Sequence, residues 1–127
     1  MVLNHDCVRE VMLFLENQLD LYKNIEFSDT SVKNFSDDDI LYSIKKLAEA
    51  DFINANVSID TLGEIEAIVH EITWEGHKFL DTIRDDTVWG QTKKLLSKFT
   101  STSLTFVSSI ASQVLTNLVT EYLQGKI

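Results

Sequence analysis

Ile72-Thr73-Trp74-Glu75-Gly76-His77-Lys78-Phe79-Leu80-Asp81-Thr82-Ile83-Arg84-Asp85-Asp86 is the stretch on which the architecture turns. It reads as the end of a β-strand running into a helix. The Thr73 hydroxyl is placed to cap that helix, and Glu75 brings a negative charge to its first turn, where the helix dipole favours one. Ile72, Gly76, Phe79, Leu80 and Ile83 share one face, at the i, i+3, i+4, i+7 spacing of a half-buried helix. Gly76 lies within that face, where glycine costs about 1 kcal/mol against alanine. Its expected use is to let another backbone come close.

Upstream of this stretch, Ile53, Ala55, Val57 and Ile59 alternate with polar residues, the period of a strand. Asp60-Thr61-Leu62-Gly63-Glu64 has the composition of a turn, and Ile65, Ala67 and Val69 alternate on the return strand. A helix before the hairpin starts at Ser36 and ends near Ala50. Ser36 caps it, Asp37, Asp38 and Asp39 crowd its positive end, and Ile40, Leu41, Ile44, Leu47 and Ala48 form its buried face. Earlier still, Asn4 caps a helix running to about Leu19, with Val8, Val11, Met12, Leu15 and Leu19 as its stripe. Residues 20–35 are irregular. Ile25-Glu26-Phe27 has the look of a very short strand and Ser28–Ser31 that of a turn, while Val32 and Phe35 can anchor one helical turn. Downstream, Asp85 or Asp86 ends the opening helix and caps the next, whose stripe is Val88, Thr92, Leu95, Leu96 and Phe99. Thr100–Ser103 form a polar break before a final helix from Leu104 to about Leu123.

The composition narrows the classes of function. The 127 residues carry 20 acids against 11 bases, a net charge of −9. That balance is unfavourable for gripping a phosphate backbone. It is also uneven: residues 91–127 hold one acid, Glu121, and four lysines. Proline is absent, which suits a chain dominated by helices. The one cysteine, Cys7, has no internal partner for a disulfide, which fits a reducing compartment. No signal-like segment opens the chain, so a cytoplasmic location is expected.

Helix, irregular segment, helix, hairpin, helix is the order of a winged-helix domain. The expected class is therefore mainly α within α+β: a winged-helix-like domain over residues 1–86 with a two-stranded wing. C-terminal helices follow over 87–127. Ile72-Thr73-x-x-Gly76 resembles the leucine-threonine-x-x-glycine signature at the end of the wing in many bacterial winged-helix proteins. A more extensive likeness rests on three motifs. They are Asn4-x-Asp6-Cys7-Val8-Arg9, Asp39-Ile40-Leu41-Tyr42-x-Ile44-Lys45-x-Leu47, and Thr73-x-x-Gly76-His77-x-Phe79-Leu80-x-x-Ile83-Arg84-x-Asp86-Thr87-x-Trp89-x-x-Thr92-Lys93. Together they resemble domain of unknown function family 2513. The resemblance implies a small intracellular, often prophage-encoded, winged-helix-like protein, and it brings no activity, ligand or catalytic residue. Thr73, Gly76, His77, Phe79, Leu80, Ile83, Arg84 and Trp89 are its structural signature.

Two features depart from a DNA-reading winged helix. Only a stunted helix fits before Ser36, and the helix that would read DNA begins with three aspartates where side chains normally meet bases and phosphates. Lys45 and Lys46 only partly offset them. Asp37, Asp38, Asp39, Lys45 and Lys46 are accordingly candidates for contact with a partner. His70, Glu71, Glu75 and His77 lack the His-Glu-x-x-His spacing of a zinc protease, so neither a metal nor a cofactor is expected. His77, Asp81 and Arg84 share a helix edge and read as a polar cluster. Cys7 beside Asp6 lacks a base that would activate it and reads as a packed side chain. No catalytic set converges.

The final helix stands apart. Thr100 to Thr120 contains no charged residue, and ten of those twenty-one residues are Ser or Thr, too polar for a membrane span. Leu104, Val107, Ile110, Ala111, Val114, Leu118 and Tyr122 form a broad stripe. The reading is a self-association helix over 103–124 that closes a homodimer; the alternative is that it folds back on its own chain. The expected function is a non-enzymatic interaction protein, dimeric through this helix, acting on an unidentified protein partner. The alternatives are a DNA-binding regulator and an acidic inhibitor occupying a nucleic-acid-binding site.

Overall fold

The computed structural model describes residues 1–27, 32, 34–100 and 103–125. Its elements run α1 (His5–Gln18), β1 (Ile25–Phe27), α2 (Asp37–Glu49), β2 (Ile53–Ile59), β3 (Ile65–Ile72), α3 (Trp74–Ile83), α4 (Asp86–Leu96) and α5 (Leu104–Leu123). They form two compact units, Met1–Leu80 and Asp81–Ile127.

In the first unit the sheet has three antiparallel strands in the order β1-β3-β2. The expectation of a two-stranded wing is corrected here. Ile25 lies opposite Val69 and Phe27 opposite Ala67. Both β1 side chains are buried with Glu26 outward between them. Two buried apolar residues thus hold a three-residue strand against β3 that alternation alone hardly announces. Phe27 also meets the edge of Phe14 at 5.7 Å between ring centres.

The helix starts follow their caps. Asn4 Oδ1 accepts from the Cys7 amide at 3.1 Å. Ser36 Oγ accepts from Asp39 at 3.2 Å, and Asp85 Oδ1 from Val88 at 3.0 Å. α1 ends one residue short of Leu19. The helical turn expected around Val32 and Phe35 falls partly on residues outside those described; Val32 is buried and Asn34 has φ 75°, a left-handed conformation. The turn expected at Ser28–Ser31 lies outside the described residues.

The end of α2 is a Schellman motif. The Phe52 amide donates to Leu47 and the Asp51 amide to Ala48, at 3.0 and 3.1 Å. Asp51 occupies the left-handed position with φ 62°, where glycine is usual. Leu47 and Phe52, the pair that the motif brings together, are both buried. Phe52 then stacks on Phe79 of α3, ring centres 4.8 Å apart.

In the second unit α4 and α5 pack on one another, and Phe99 meets the edge of Phe106 at 5.6 Å. Val88, Trp89 and Thr92 of α4 are buried, and the Thr92 hydroxyl donates to the Val88 carbonyl at 2.7 Å. No helix among the described residues is long and apolar enough to cross a membrane.

Candidate functional site

The turn from β3 into α3 is built as the sequence suggests. Thr73 Oγ1 accepts from the Gly76 amide at 3.0 Å and caps α3. The same hydroxyl donates to the Asp51 carbonyl at 2.6 Å, and the Thr73 amide donates to the Phe52 carbonyl at 3.1 Å. The Phe52 carbonyl oxygen occupies the place where a Cβ on residue 76 would stand. Gly76 therefore does admit a second backbone. Phe79, Leu80 and Ile83 are buried along α3, and Trp89 is buried on α4. Arg84 and Asp81 pair at 2.8 Å. His77 is exposed. Of this signature, Phe79, Leu80, Ile83 and Trp89 are buried, Thr73 and Gly76 form the turn, and His77 and Arg84 lie on the surface.

The strand leading into it contains a bulge. Ala55 lies opposite Val69 but Asn54 opposite Glu71, so His70 is the additional residue on β3. The bulge lets His70 reach Asn56 at 3.2 Å while Glu71 accepts from Asn54 at 2.6 Å. His70, Glu71 and His77 line a depression of about 290 Å³ with Glu16, Asp20 and the leucines at the end of α1. Among the described residues no group of three or more His, Cys, Asp or Glu side chains is arranged to hold a metal. Displaced titrations lie elsewhere. Burial pushes the Cys7 thiol up, with a Ser43 hydrogen bond acting the other way. Burial pulls the His5 imidazole down, with Asp6 opposing.

The α2 candidates separate. Asp37 and Asp38 are exposed and Asp39 is half-buried. Lys46 donates to Glu49 at 2.8 Å and lies over the Tyr42 ring at 5.3 Å. That hydrogen bond raises the Lys46 pKa and lowers that of Glu49. Lys46 is thus engaged within its own helix, and Lys45 is exposed.

A second depression, of about 300 Å³ and largely apolar, lies between α2 and the β2–β3 hairpin. Met1, Leu41, Tyr42, Val57, Ile59 and Ile65 line it, with Asp38 and Lys45 also on its wall. Alternation marks Val57, Ile59 and Ile65 as the apolar positions of the two strands. The structure leaves Ile59 69% and Ile65 39% exposed, so the apolar face of the hairpin runs beyond its cover. The groove escaped the sequence reading because alternation reports which face is apolar but not how far a helix covers it.

The hairpin is also acidic. From Asp51 to His77 there are six carboxylates and no lysine or arginine. Glu26 of β1 and Glu66 of β3 approach closely enough to share a hydrogen bond. That bond and the Glu26 charge hold the Glu66 carboxyl above the usual range, with Asp60 adding to the effect.

The family model described as "Hypothetical protein (DUF2513)" matches residues 2–103. The chain belongs to the DUF2513 family. The DUF2513 match takes in the Thr73–Gly76 turn, the groove and α4, and it stops at Ser103, the cap of α5. An uncharacterized protein of Haemophilus influenzae is 30% identical over 117 residues, covering 91% of this DUF2513 chain and 97% of that protein. No solved structure matches the chain.

The interface expected on α5 is partly used within the chain. Leu104, Val107, Ala111 and Val114 are buried in the lone subunit, because the first half of α5 folds back. Ile110 and Leu118 are half-buried and Tyr122 is 68% exposed. Leu118, Val119 and Tyr122 border a depression of about 240 Å³ with Val88, Leu115 and Asp85.

Proposed function

We propose that this DUF2513 chain is a non-enzymatic, winged-helix-like module that binds another protein. One observation carries the reading. The hairpin in the position of a wing bears carboxylates without a single lysine or arginine, and the helix before it opens with Asp37, Asp38 and Asp39. Proteins that hold nucleic acid place Lys and Arg against phosphates, and these supply most of the salt-dependent affinity. Here the same surfaces repel a polyanion. They offer instead an apolar groove between α2 and the hairpin, rimmed by charge, the arrangement of a protein-binding surface.

The element order supports the winged-helix description: α1, β1, α2, then an antiparallel β2–β3 hairpin with β1 on the far side of β3. It lacks the additional helix of a helix-turn-helix among the described residues between β1 and α2. A mobility-shift titration of mixed duplex DNA across salt tests the reading. No retardation at physiological salt is expected. Retardation with a steep salt slope supports the regulator instead.

Self-association is a second reading, and it rests on the end of α5. Val119, Tyr122 and Leu123 are 49%, 68% and 78% exposed, on a stretch whose one charge from Thr100 to Gly125 is Glu121. Equilibrium sedimentation should give twice the chain mass, falling to the monomer in Val119→Lys/Tyr122→Lys. Monomer mass in the unaltered chain removes this reading.

A further inference from the structure

The two edges of the sheet are defended unequally. β1 is only three residues long and carries Glu26, and short charged edges resist further pairing. β2 is seven residues long, Ile53-Asn54-Ala55-Asn56-Val57-Ser58-Ile59, with neither a charge nor a proline. Among the described residues it pairs with β3 alone. Its backbone on the other side is a template for one more strand.

We propose that β2 accepts an extended segment of a partner protein in which apolar and basic residues alternate. The chemistry of that segment follows from the two faces of β2. On one face Val57 and Ile59 form a wall of the apolar groove shared with Leu41 and Tyr42 of α2. A strand added to the edge sends every second side chain toward that face. On the other face Ser58 lies opposite Glu66, which is drawn close to Glu26. A Lys or Arg on a strand added beside Ser58 comes within reach of the Glu66 carboxylate across that small side chain. A second copy fits less well, because its own β2 carries no lysine or arginine to set beside Glu66.

The inference rests on the protein-binding reading and adds where and what the partner binds. Its failure is separable, because amide signals report the β2 edge whether or not DNA binds elsewhere. The probe is a short end-blocked peptide alternating valine and lysine, titrated into the full ¹⁵N-labelled chain. Shifts and slowed hydrogen exchange are expected at Ile53–Ile59. A valine–glutamate peptide should bind roughly tenfold more weakly or worse. A peptide with the same valines and lysines in two blocks should not slow β2 exchange. Ser58→Lys should weaken binding although it raises the melting temperature, and Ser58→Glu should strengthen binding although it lowers it, because each new charge faces Glu66. No binding, equal response to the alternating and block peptides, or shifts confined to other elements overturns the proposal. So does concentration-dependent protection of β2 without peptide, which assigns the edge to a second copy.

Discussion

Thr73 Oγ1 donates to the Asp51 carbonyl at 2.6 Å while accepting from the Gly76 amide at 3.0 Å, so one hydroxyl joins the end of α2 to the start of α3. The Thr73 amide reaches the Phe52 carbonyl, and that oxygen sits against Gly76. The hairpin between these helices is thereby closed at its base.

Gly76→Ala should destabilise the protein by at least the ~1–3 kcal/mol typical of overpacking, since the obstacle is backbone and cannot swing aside. Better helix propensity returns only about 1 kcal/mol. Thr73→Val keeps the shape and loses both hydrogen bonds, at a cost of about 1–2 kcal/mol. Urea unfolding followed by circular dichroism measures both. A Gly76→Ala midpoint equal to that of the unaltered chain would contradict the close approach.

Asp51 is held at φ 62° by its place in the Schellman motif. Its carbonyl, not its side chain, receives Thr73. Asp51→Gly therefore retains the bond and removes the left-handed penalty, a gain of about 1 kcal/mol. Asp51→Val should lose stability, because a β-branched residue fits that conformation badly. Thermal melts of the two variants should move in opposite directions.

Neither nitrogen of His5 has a hydrogen-bond partner among the described residues, and burial lowers its pKa. The unfolded chain then takes up the proton first as pH falls. Stability should decline on acidification from the ordinary imidazole value of about 6.5 down to the lowered folded value. His5→Leu should flatten that part of the stability–pH curve and leave the region above pH ~7.5 parallel to the unaltered chain. Urea midpoints through this range test it.

Glu66 has the opposite sign. Its folded pKa is raised by the Glu26 hydrogen bond, so the folded state holds its proton longer and stability falls as pH rises through that window. Glu66→Gln should be more stable than the unaltered chain at neutral pH. The difference should vanish below about pH 4 and shrink in high salt. A gain that persists at low pH would point to packing instead of charge.

Much of this architecture is legible in the linear chain because local chemistry decides it. Asn4, Ser36, Thr73, Asp85 and Ser103 announce their helices through side chains that reach amides three residues away. Gly76 announces a close approach because nothing else justifies glycine within an apolar helix face. Alternation announces β2 and β3. The family motifs, too, are read from spacing alone.

Long-range packing decided the rest. Whether Ile25–Phe27 is a strand depends on Ala67 and Val69, some forty residues later. The bulge at His70 shows only as two polar residues between Val69 and Ile72, and its register depends on β2. A uniform stripe on α5 does not reveal that its first half is covered and its end bare, since every apolar side chain favours burial equally until neighbours take their places. For the same reason the groove beside β2 and that strand's open edge, the surfaces on which the proposed interactions depend, emerged only in three dimensions.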